Sequence, residues 1–310
     1  MTRAPTRIDL GGGWTDVPPY CDREGGFVCN VAIDRYAVVR LSDAAAAAKD
    51  GDEAPLVAAA LRRSALDGVH ATVANDFPIG AGLGGSSAAS AALLAAIATW
   101  RGEPIDRSAI AEEGRRIEVE ELGVAGGRQD HYAATYGGAL ALTFTTSTSV
   151  RRIPLRPETK TALCARSVLV YTGQSRISGD TITAVLGAYK RREKNVLDAL
   201  RRMRELAKDM ADALEASDLD AVGDLLGEHW RHQRSLHPSI PTERIDAIVE
   251  LSRRAGARGA KAMGASGGGC VLIVCNADSV ERVRNAVQSL GEILEFGVDD
   301  EGVRAETTQP

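Results

Sequence analysis

The stretch from Pro78 to Ala89 decides the fold and reads Pro-Ile-Gly-Ala-Gly-Leu-Gly-Gly-Ser-Ser-Ala-Ala. Four of the six residues 80–85 are glycine, so backbone N–H groups there can approach a ligand closely and adopt positive φ. Ser86 and Ser87 are N-cap candidates, and the Ala- and Leu-rich run 88–97 predicts a helix. Unpaired amides and the macrodipole attract anions at such a helix start. We therefore predict a phosphate-binding loop.

Two better-known types of glycine loop fit this stretch less well. Gly80, Gly82 and Gly85 match G-x-G-x-x-G, but a dinucleotide site also needs a strand after the helix and an acidic residue about 20 positions on. Residues 100–104 instead predict a turn into another helix. A P-loop is excluded because no lysine follows the glycines. A helix entry without a ligand would gain nothing from so many glycines, which cost conformational entropy.

Length and composition narrow the class of protein. The 310 residues suit two domains that share a cleft, and 44% hydrophobic with 25% charged residues is typical of a soluble globular protein. A net charge of −5 argues against a nucleic-acid-binding surface. Five cysteines without a C-x-x-C pair predict reduced thiols in a cytoplasmic protein. Without an apolar leader or an apolar run of about 18 residues, neither secretion nor membrane insertion is expected.

The predicted elements fall into two groups along the chain. In the first group, strands are predicted at 7–10, 27–41, 69–73 and 139–145, and helices at 56–66, 88–97 and 106–122. A further helix is predicted to open within residues 126–132 and to end at Tyr136. Polar residues 145–149 and the pair Arg151-Arg152 mark a boundary near residue 155. The second group comprises a strand at 164–171, one long or one broken helix at 180–217, and helices at 218–236, 242–255 and 279–290. The acidic tail from Asp299 is expected to fray.

Two further glycine-rich segments predict a backbone shaped by a ligand. Residues 264–269 contain four glycines between two predicted strands, more than a tight hairpin needs, so we expect this loop to meet a ligand or the first glycine loop. Gly11–Asp16 breaks the first strand abruptly; its alternative interpretation is a hairpin turn with a packed tryptophan. His229 and His232 lie three residues apart, but no third ligand at usable spacing accompanies them, so they do not predict a metal site.

Three segments resemble the three motifs of the GHMP kinases, the family of galactokinase and of homoserine, mevalonate and phosphomevalonate kinases. Residues 3–16 are similar to the first motif as found in the sugar kinases, residues 78–89 to the phosphate-binding second motif, and residues 261–269 to the third. Ser266 stands where glycine is common. Within the family, residues 126–138 and 171–176 are most similar to the bacterial D-glycero-D-manno-heptose 7-phosphate 1-kinases, from which His131 departs because glutamine is common there.

The resemblance implies an α+β protein with the two-domain GHMP kinase fold. An N-terminal, ribosomal protein S5 domain 2-like domain (1–155) would bind ATP, and a C-terminal, ferredoxin-like α/β domain (156–310) would supply the second glycine loop. The implied reaction, with ATP and Mg²⁺, phosphorylates a sugar or sugar-phosphate hydroxyl, best matched by the anomeric hydroxyl of D-glycero-D-manno-heptose 7-phosphate. The alternatives are a fucose- or galactose-type kinase and a catalytically silent sensor of ATP and sugar. Neither nucleic acid nor membrane is expected as a partner, and the oligomeric state stays open.

The resemblance also implies a role for individual residues. Asp130 would orient or receive the proton of the sugar hydroxyl, with Arg7 as the neighbouring cation. Ser87 and Glu118 would hold Mg²⁺ through hard oxygen ligands, with Glu120 as the fallback. The residues implied for ATP are Gly80, Gly82, Leu83, Gly84, Gly85, Ser86, Ser87 and Ala88. Those implied for the sugar are Asp16, Gly12, Gly13, Thr15, Arg128, Gly267 and Gly268. The equal candidates for a phosphate on the sugar are Arg3, Arg128 and Arg176.

Overall fold

The computed structural model describes residues 1–43, 54–174 and 179–306, and it contains two antiparallel sheets covered by helices. The strands are β1 (Thr2–Gly11), β2 (Gly26–Asp43), β3 (Val69–Asn75), β4 (Ala139–Phe144), β5 (Thr148–Ile153), β6 (Ser167–Tyr171), β7 (Ala257–Ala262), β8 (Cys270–Cys275), β9 (Glu292–Leu294) and β10 (Arg304–Ala305). The helices are α1 (Tyr20–Glu24), α2 (Pro55–Arg63), α3 (Gly85–Trp100), α4 (Arg107–Arg116), α5 (Gln129–Tyr136), α6 (Pro157–Ala165), α7 (Gly179–Lys190), α8 (Lys194–Glu215), α9 (Leu219–Ser235), α10 (Glu243–Arg254) and α11 (Val280–Val287). A π-helical turn over Ile117–Glu121 continues α4. The α+β fold class is confirmed.

The long strand β2 organises the first sheet. It pairs with β1, β3 and β4, and the strand order is β10-β1-β2-β4-β5 with β3 as a further partner of β2. The second sheet has the order β7-β8-β6-β9. The pairing of β1 with β2 shifts register between Asp9 and Gly11, which is a β-bulge at the point where the chain enters the loop Gly11–Asp16.

One apolar cluster contains side chains from both sheets. It joins Ile8 and Leu10 of β1 to Leu272 of β8 and Met210 of α8. Buried apolar contacts of this kind define a shared core. The two sheets are therefore held against each other, and the site described below lies where they meet.

Helix α3 is buried on nearly all sides, which accounts for its composition. Every residue from 87 to 97 is buried, as expected of a helix that is apolar all round. Its start differs from the prediction, because the N-cap is Gly84 with φ of 75° while Ser86 and Ser87 lie in the first turn. Glycine adopts this left-handed conformation without the steric cost that a serine would have there.

Several predicted elements have different limits in the structure. Asp106, the first residue of the predicted helix 106–122, caps α4, since its side chain accepts a hydrogen bond from the N–H of Ala109 at 3.0 Å. The predicted strand 164–171 begins only at Ser167, because Cys164 belongs to α6. The helical region 180–217 is broken after Lys190, so α7 and α8 are separate helices.

The C-terminal segment packs against the first sheet, so the prediction that it frays from Asp299 was wrong. Asp299 is buried, and its carboxylate accepts a hydrogen bond from the N–H of Gly302 at 2.7 Å and pairs with Arg304 at 2.9 Å. β10 then pairs with β1. Backbone hydrogen bonds and the ion pair between Asp299 and Arg304 hold this segment in place. Composition does not reveal either kind of contact.

Some sequence predictions lie wholly or partly outside the described residues. Residues 44–53 of the predicted surface loop and Arg176 are among these. All five cysteines are described, and all are free thiols, as predicted. Over the described ranges, no helix is both long enough and apolar enough to cross a membrane.

Candidate active site

The first glycine loop (80–85) and the second glycine loop (264–269) touch each other, as the sequence predicted. The N–H of Cys270 donates to the carbonyl of Ala81 at 2.8 Å. A Cβ added to Gly269 would lie 2.8 Å from the same carbonyl oxygen, and one added to Gly264 would lie 3.2 Å from Cα of Gly82. The two halves therefore meet here backbone against backbone, which requires residues without side chains.

Asp130 lies in the first turn of α5, beside the first glycine loop, and is paired with Arg7. Nε and Nη2 of Arg7 donate to Oδ1 and Oδ2 of Asp130 at 2.8 Å and 2.9 Å. Nη1 of the same guanidinium donates to the carbonyl of Gly82 at 2.6 Å. A Cβ added to Gly84 would come within 3.2 Å of Cγ of Asp130. A bidentate pair of this kind fixes the orientation of the carboxylate relative to the loop.

A pocket of about 280 Å³ opens at this meeting point. It brings together the side chains of Arg7, Asp130, Asp16 and Glu118. The two glycine loops bound it through Gly82, Gly84, Gly264 and Ala265. Its other described lining residues are Asp9, Gly13, Trp14, Val17, Val124, Ala125, Gly126, Gly127, Gln129 and Ile182.

Asp16 is a buried carboxyl on the wall of this pocket. Its Oδ2 accepts a hydrogen bond from the N–H of Gln129 at 3.0 Å, and it lies so close to Gly127 that a Cβ there would overlap it. Burial raises the pKa of Asp16 to about 6; the bond from Gln129 lowers it, and the nearby charges of Asp130 and Asp9 raise it further. Asp16 therefore changes charge near neutral pH while facing the pocket.

Glu118 and Ser87 approach one imidazole nitrogen. Oε2 of Glu118 lies 3.0 Å from Nε2 of His131, and Oγ of Ser87 lies 3.3 Å from the same atom. Glu118 belongs to the π-helical turn, an element that recurs at functional sites because its extra residue redirects side chains. Glu120 on the same turn lies instead within 3.5 Å of Arg63 at the surface.

The donor set formed by Ser87 and Glu118 fits Mg²⁺. A hydroxyl and a carboxylate are hard oxygen ligands, and Mg²⁺ on a nucleotide takes few ligands from the protein besides the phosphates. Among the described residues, no group of three or more His, Cys, Asp or Glu side chains is placed to hold a metal ion. These two oxygens could complete the coordination of a phosphate-bound cation, but they do not form a metal cage by themselves.

Arg128 and Thr15 use their polar groups away from the pocket. Nη1 of Arg128 donates to the carbonyl of Thr145 at 3.1 Å, and its Nη2 lies 3.8 Å from Asp22. The hydroxyl of Thr15 donates to the carbonyl of Gly12 at 2.7 Å. These hydrogen bonds hold local turns, and neither side chain is among the described lining residues of the pocket.

Several other predicted substrate residues also lie outside the described lining. The N–H of Gly12 donates to Nε2 of His229 at 2.9 Å, and the N–H of Gly267 donates to the carbonyl of Ile240 at 2.8 Å. A Cβ added to Gly268 would lie 2.6 Å from the carbonyl of Gln174. These glycines serve close backbone packing. Arg3 pairs with Glu306 at 2.9 Å and is not among the described lining residues.

The residues predicted to bind ATP differ in their exposure to solvent. The side chains of Leu83 and Ala88 are buried in the core, and the carbonyl of Leu83 accepts the N–H of Arg7 at 3.0 Å. Gly80 and Ser86 are exposed, and Gly85 packs against the ring of Phe77. Only Gly82 and Gly84 of this set line the pocket itself.

Among the pocket-lining residues that the sequence interpretation missed are Asp9 and Ile182. Asp9 follows Arg7 by two positions, so both side chains leave the same face of β1; this alternation was the available signal. Ile182 comes from α7 in the second half of the chain and carries no local signal. Trp14 both packs in the core and lines the pocket, so the packed-tryptophan interpretation and the ligand interpretation of its loop are compatible.

Comparison with known proteins agrees with this geometry. The sequence matches the family description "GHMP kinases N terminal domain" over residues 52–138 and "GHMP kinases C terminal" over residues 210–293. D-glycero-alpha-D-manno-heptose 7-phosphate kinase of Campylobacter jejuni is 28% identical over 333 aligned positions, covering 98% of both chains. Galactokinase of Mycobacterium tuberculosis is 31% identical over 249 positions, covering 70% of this chain and 67% of that protein.

A solved structure has the same fold. The crystal structure described as a D-glycero-D-manno-heptose 1-phosphate kinase from Bacteroides thetaiotaomicron superimposes with a TM-score of 0.80, covering 100% of this chain and 99% of that one, at 24% identity. With both family domains matched and relatives aligned over most of its length, the chain belongs to the GHMP kinases, as a sugar kinase that transfers a phosphoryl group from ATP to an alcohol.

Proposed function

We propose that this sugar kinase phosphorylates the anomeric hydroxyl of D-glycero-D-manno-heptose 7-phosphate. The observation that carries the proposal is the Arg7–Asp130 pair at the wall of a pocket closed by both glycine loops. The choice of sugar is supported by the end-to-end alignment with the Campylobacter heptose 7-phosphate kinase. Among the described lining residues Arg7 is the only basic one, and it is engaged by Asp130, so the pocket alone does not select the 7-phosphate.

In this proposal Asp130 handles the proton of the acceptor. The oxygen of the sugar hydroxyl forms a bond to the γ-phosphorus while the bond from that phosphorus to the β,γ-bridging oxygen breaks, and ADP leaves. The hydroxyl proton passes to the carboxylate of Asp130, whose remaining lone pairs are available although Arg7 occupies one on each oxygen. A loose phosphoryl-transfer transition state requires chiefly such positioning.

The glycine loops would hold the donor. Free amides at the start of α3, and the positive end of its dipole, suit the phosphates of ATP. Ser87 and Glu118 would bind Mg²⁺, which neutralises charge on the phosphate oxygens. Asp16 would accept hydrogen bonds from two sugar hydroxyls when it is ionised.

We also propose the domain division near residue 155 and a cytoplasmic location. The first sheet and α3 would form the ATP-binding domain, with the C-terminal segment returning to it through β10. ATP as the donor supports the cytoplasmic location.

A product analysis tests the proposal. Purified protein is incubated with ATP, Mg²⁺ and D-glycero-D-manno-heptose 7-phosphate, and in parallel with galactose, fucose and mannose and with the terminal phosphates of galactose and mannose. We expect ADP release with the heptose phosphate and a new anomeric phosphate in the ³¹P NMR spectrum. Preferential phosphorylation of galactose or fucose would overturn the choice of sugar, and no ADP release with any sugar would favour the silent sensor.

A further inference from the structure

A buried ion pair links the two halves at the wall of the pocket. Lys261 of β7 is 0% exposed and Asp9 of β1 is 2% exposed. Nζ of Lys261 donates to Oδ2 of Asp9 at 2.7 Å and to the backbone carbonyl of the same residue at 2.6 Å. Burial lowers the pKa of Lys261 while Asp9 raises it; burial raises the pKa of Asp9, but the attraction of Lys261 brings it below its usual value.

The pair sits at the base of two loops of the pocket. Asp9 immediately precedes the β-bulge from which the chain enters the loop Gly11–Asp16. Lys261 lies three residues before Gly264, the first residue of the second glycine loop. The backbone of Gly13 rests so closely on Oδ2 of Asp9 that a Cβ there would overlap it. One ammonium group therefore fixes the origin of both loops.

A second contact from the same half holds the middle of the loop. Nε2 of His229, on α9, accepts the N–H of Gly12 at 2.9 Å, which requires an unprotonated Nε2. His229 is fully buried, and burial followed by the charge of Lys261 lowers its pKa well below the usual value. The imidazole is therefore neutral and suited to this acceptor role.

A buried ion pair contributes little net stability to a protein core. Removing two charges from water costs more than their attraction commonly returns, and apolar residues of similar size often replace buried ion pairs without loss of stability. Stability alone therefore does not explain Asp9 and Lys261. The bond from Lys261 to the backbone carbonyl of Asp9 and the place of Asp9 on the pocket wall indicate a geometric role.

We infer that Lys261, Asp9 and His229 are positioning residues through which the second half of the chain sets the loop Gly11–Asp16 over the acceptor sugar. We name these three residues the loop clamp. In the clamp, Lys261 binds the backbone carbonyl of Asp9 next to the bulge, and His229 binds the N–H of Gly12. These two bonds fix the loop, so Asp16 is presented to the pocket in a fixed orientation. The inference rests on the proposed function only for the identity of the acceptor.

The test separates positioning from stability by using an apolar replacement. The variants are Lys261→Met, which leaves Asp9 unpaired, and the double variant Asp9→Leu/Lys261→Met. The control is Asp246→Leu/Arg234→Met, at an exposed pair with N to O distances of 2.8 Å and 2.9 Å. Each protein is examined for Tm, for hydrogen exchange of the peptide containing residues 11–16, and for KM and kcat with the acceptor that the wild type phosphorylates.

We expect Lys261→Met to lower Tm and the double variant to restore most of it. The double variant is still expected to show about tenfold faster amide exchange in residues 11–16 and an acceptor KM raised by about tenfold, with ATP affinity nearly unchanged. The exposed control should match the wild type in all three readouts. Wild-type exchange and wild-type KM in the restored double variant would show that the pair is merely structural and would overturn the inference.

His229→Leu provides the second measurement if the double variant does not fold. It removes only the acceptor for Gly12, so residues 11–16 should exchange faster while the exchange of β7 and β8 stays as in the wild type. Unchanged exchange in residues 11–16 would overturn the inference. Because exchange is measured without sugar, failure of the heptose assay and failure of the loop clamp are distinguishable.

Discussion

If Asp16 binds the acceptor sugar as proposed, its protonation is expected to be coupled to acceptor binding. As an acid whose pKa is raised to about 6, it is neutral in the folded protein at pH values where an ordinary aspartate is charged. A protonated carboxyl has fewer acceptor positions and one of its oxygens becomes an O–H donor, so the ionised form, which only accepts, suits the proposed contact with two hydroxyls better. The effect of pH on the enzyme should therefore appear in KM for the sugar.

Steady-state kinetics across pH test this role of Asp16. We expect the acceptor KM to rise about tenfold between pH 7 and pH 5, as protonation of one group dictates. Asp16→Asn should have a raised KM that changes little over this range, and Asp22→Asn, outside the pocket, should follow the wild type. A wild-type KM that is flat from pH 7 to pH 5 would remove Asp16 from acceptor binding.

Glu118 and Glu120 offer a matched pair for the metal proposal. Both lie on the π-helical turn, but Glu118 faces the pocket and Glu120 faces Arg63. Glu118→Gln should raise the Mg²⁺ concentration needed for half-maximal activity about tenfold and weaken Mn²⁺ binding measured by calorimetry with ATP present. Glu120→Gln should leave both values unchanged. The reverse pattern would assign the ligand to Glu120.

The sequence predicted the placement of some site residues and gave no signal for that of others. The contact of Arg7 with Asp130 agrees with the pairing that the resemblance implied, and Asp16 and Glu118 face one pocket. The direction of the Arg128 side chain was not readable from the sequence, because a residue next to a helix start can direct a long side chain to either side; here its Nη1 donates to the carbonyl of Thr145. The Asp9–Lys261 pair joins positions 252 residues apart, and local patterns carry no information on such a contact.

At the scale of elements, a helix was predicted correctly where the hydrophobic periodicity and the capping residues indicated the same limits. The helix predicted at 106–122 exists, but its last turn is π-helical over Ile117–Glu121. One extra residue per turn leaves almost no trace in a short periodic pattern, so the exact direction of Glu118 was not readable. The start of α3 was misassigned because left-handed Gly84 replaced a serine cap.

Gly84 allows a test of the first glycine loop as an element. It has φ of +75° and its added Cβ would lie 3.2 Å from Cγ of Asp130, whereas Gly102 has φ of +70° and open space around it. Gly84→Ala and Gly102→Ala should each lose about 1–2 kcal/mol of stability from the left-handed backbone. Only Gly84→Ala should lose activity, by at least about tenfold, because it displaces the carboxylate. Equal activity in the two variants, measured as kcat/KM alongside Tm, would contradict this account of the loop.

At the scale of the whole molecule, the sequence could not predict which strands far apart in the chain pair with each other. The acidic tail predicted to fray returns to β1 through β10 and buries Asp299. The second glycine loop was predicted to meet either a ligand or the first glycine loop, because it has more glycines than a tight hairpin needs, and the structure shows contact between the two loops. Composition thus indicated the contact between halves but not the path of the C-terminal segment.

The buried His229 predicts how stability depends on pH. Its pKa in the folded protein lies well below the ordinary value of 6.5, so the unfolded chain takes up the proton first. The free energy of unfolding should therefore fall as pH is lowered through about 6.5. Asp16, with its raised pKa, contributes the opposite slope between its ordinary value of 3.8 and about 6.

Comparison with His229→Gln cancels the contribution of Asp16. Urea unfolding from pH 8 to pH 5 should show a smaller loss of stability in the variant than in the wild type. Parallel curves for the two proteins would show that His229 does not hold a neutral, buried state.

The central claim is that Asp130, held by Arg7 between two glycine loops, directs phosphoryl transfer to a sugar hydroxyl. The most direct test measures kcat of Asp130→Asn together with the binding of ATP and sugar by calorimetry. We predict that both ligands bind nearly as in the wild type while kcat falls at least about 10²-fold, the loss expected for a positioned proton acceptor. An unchanged kcat would contradict the claim.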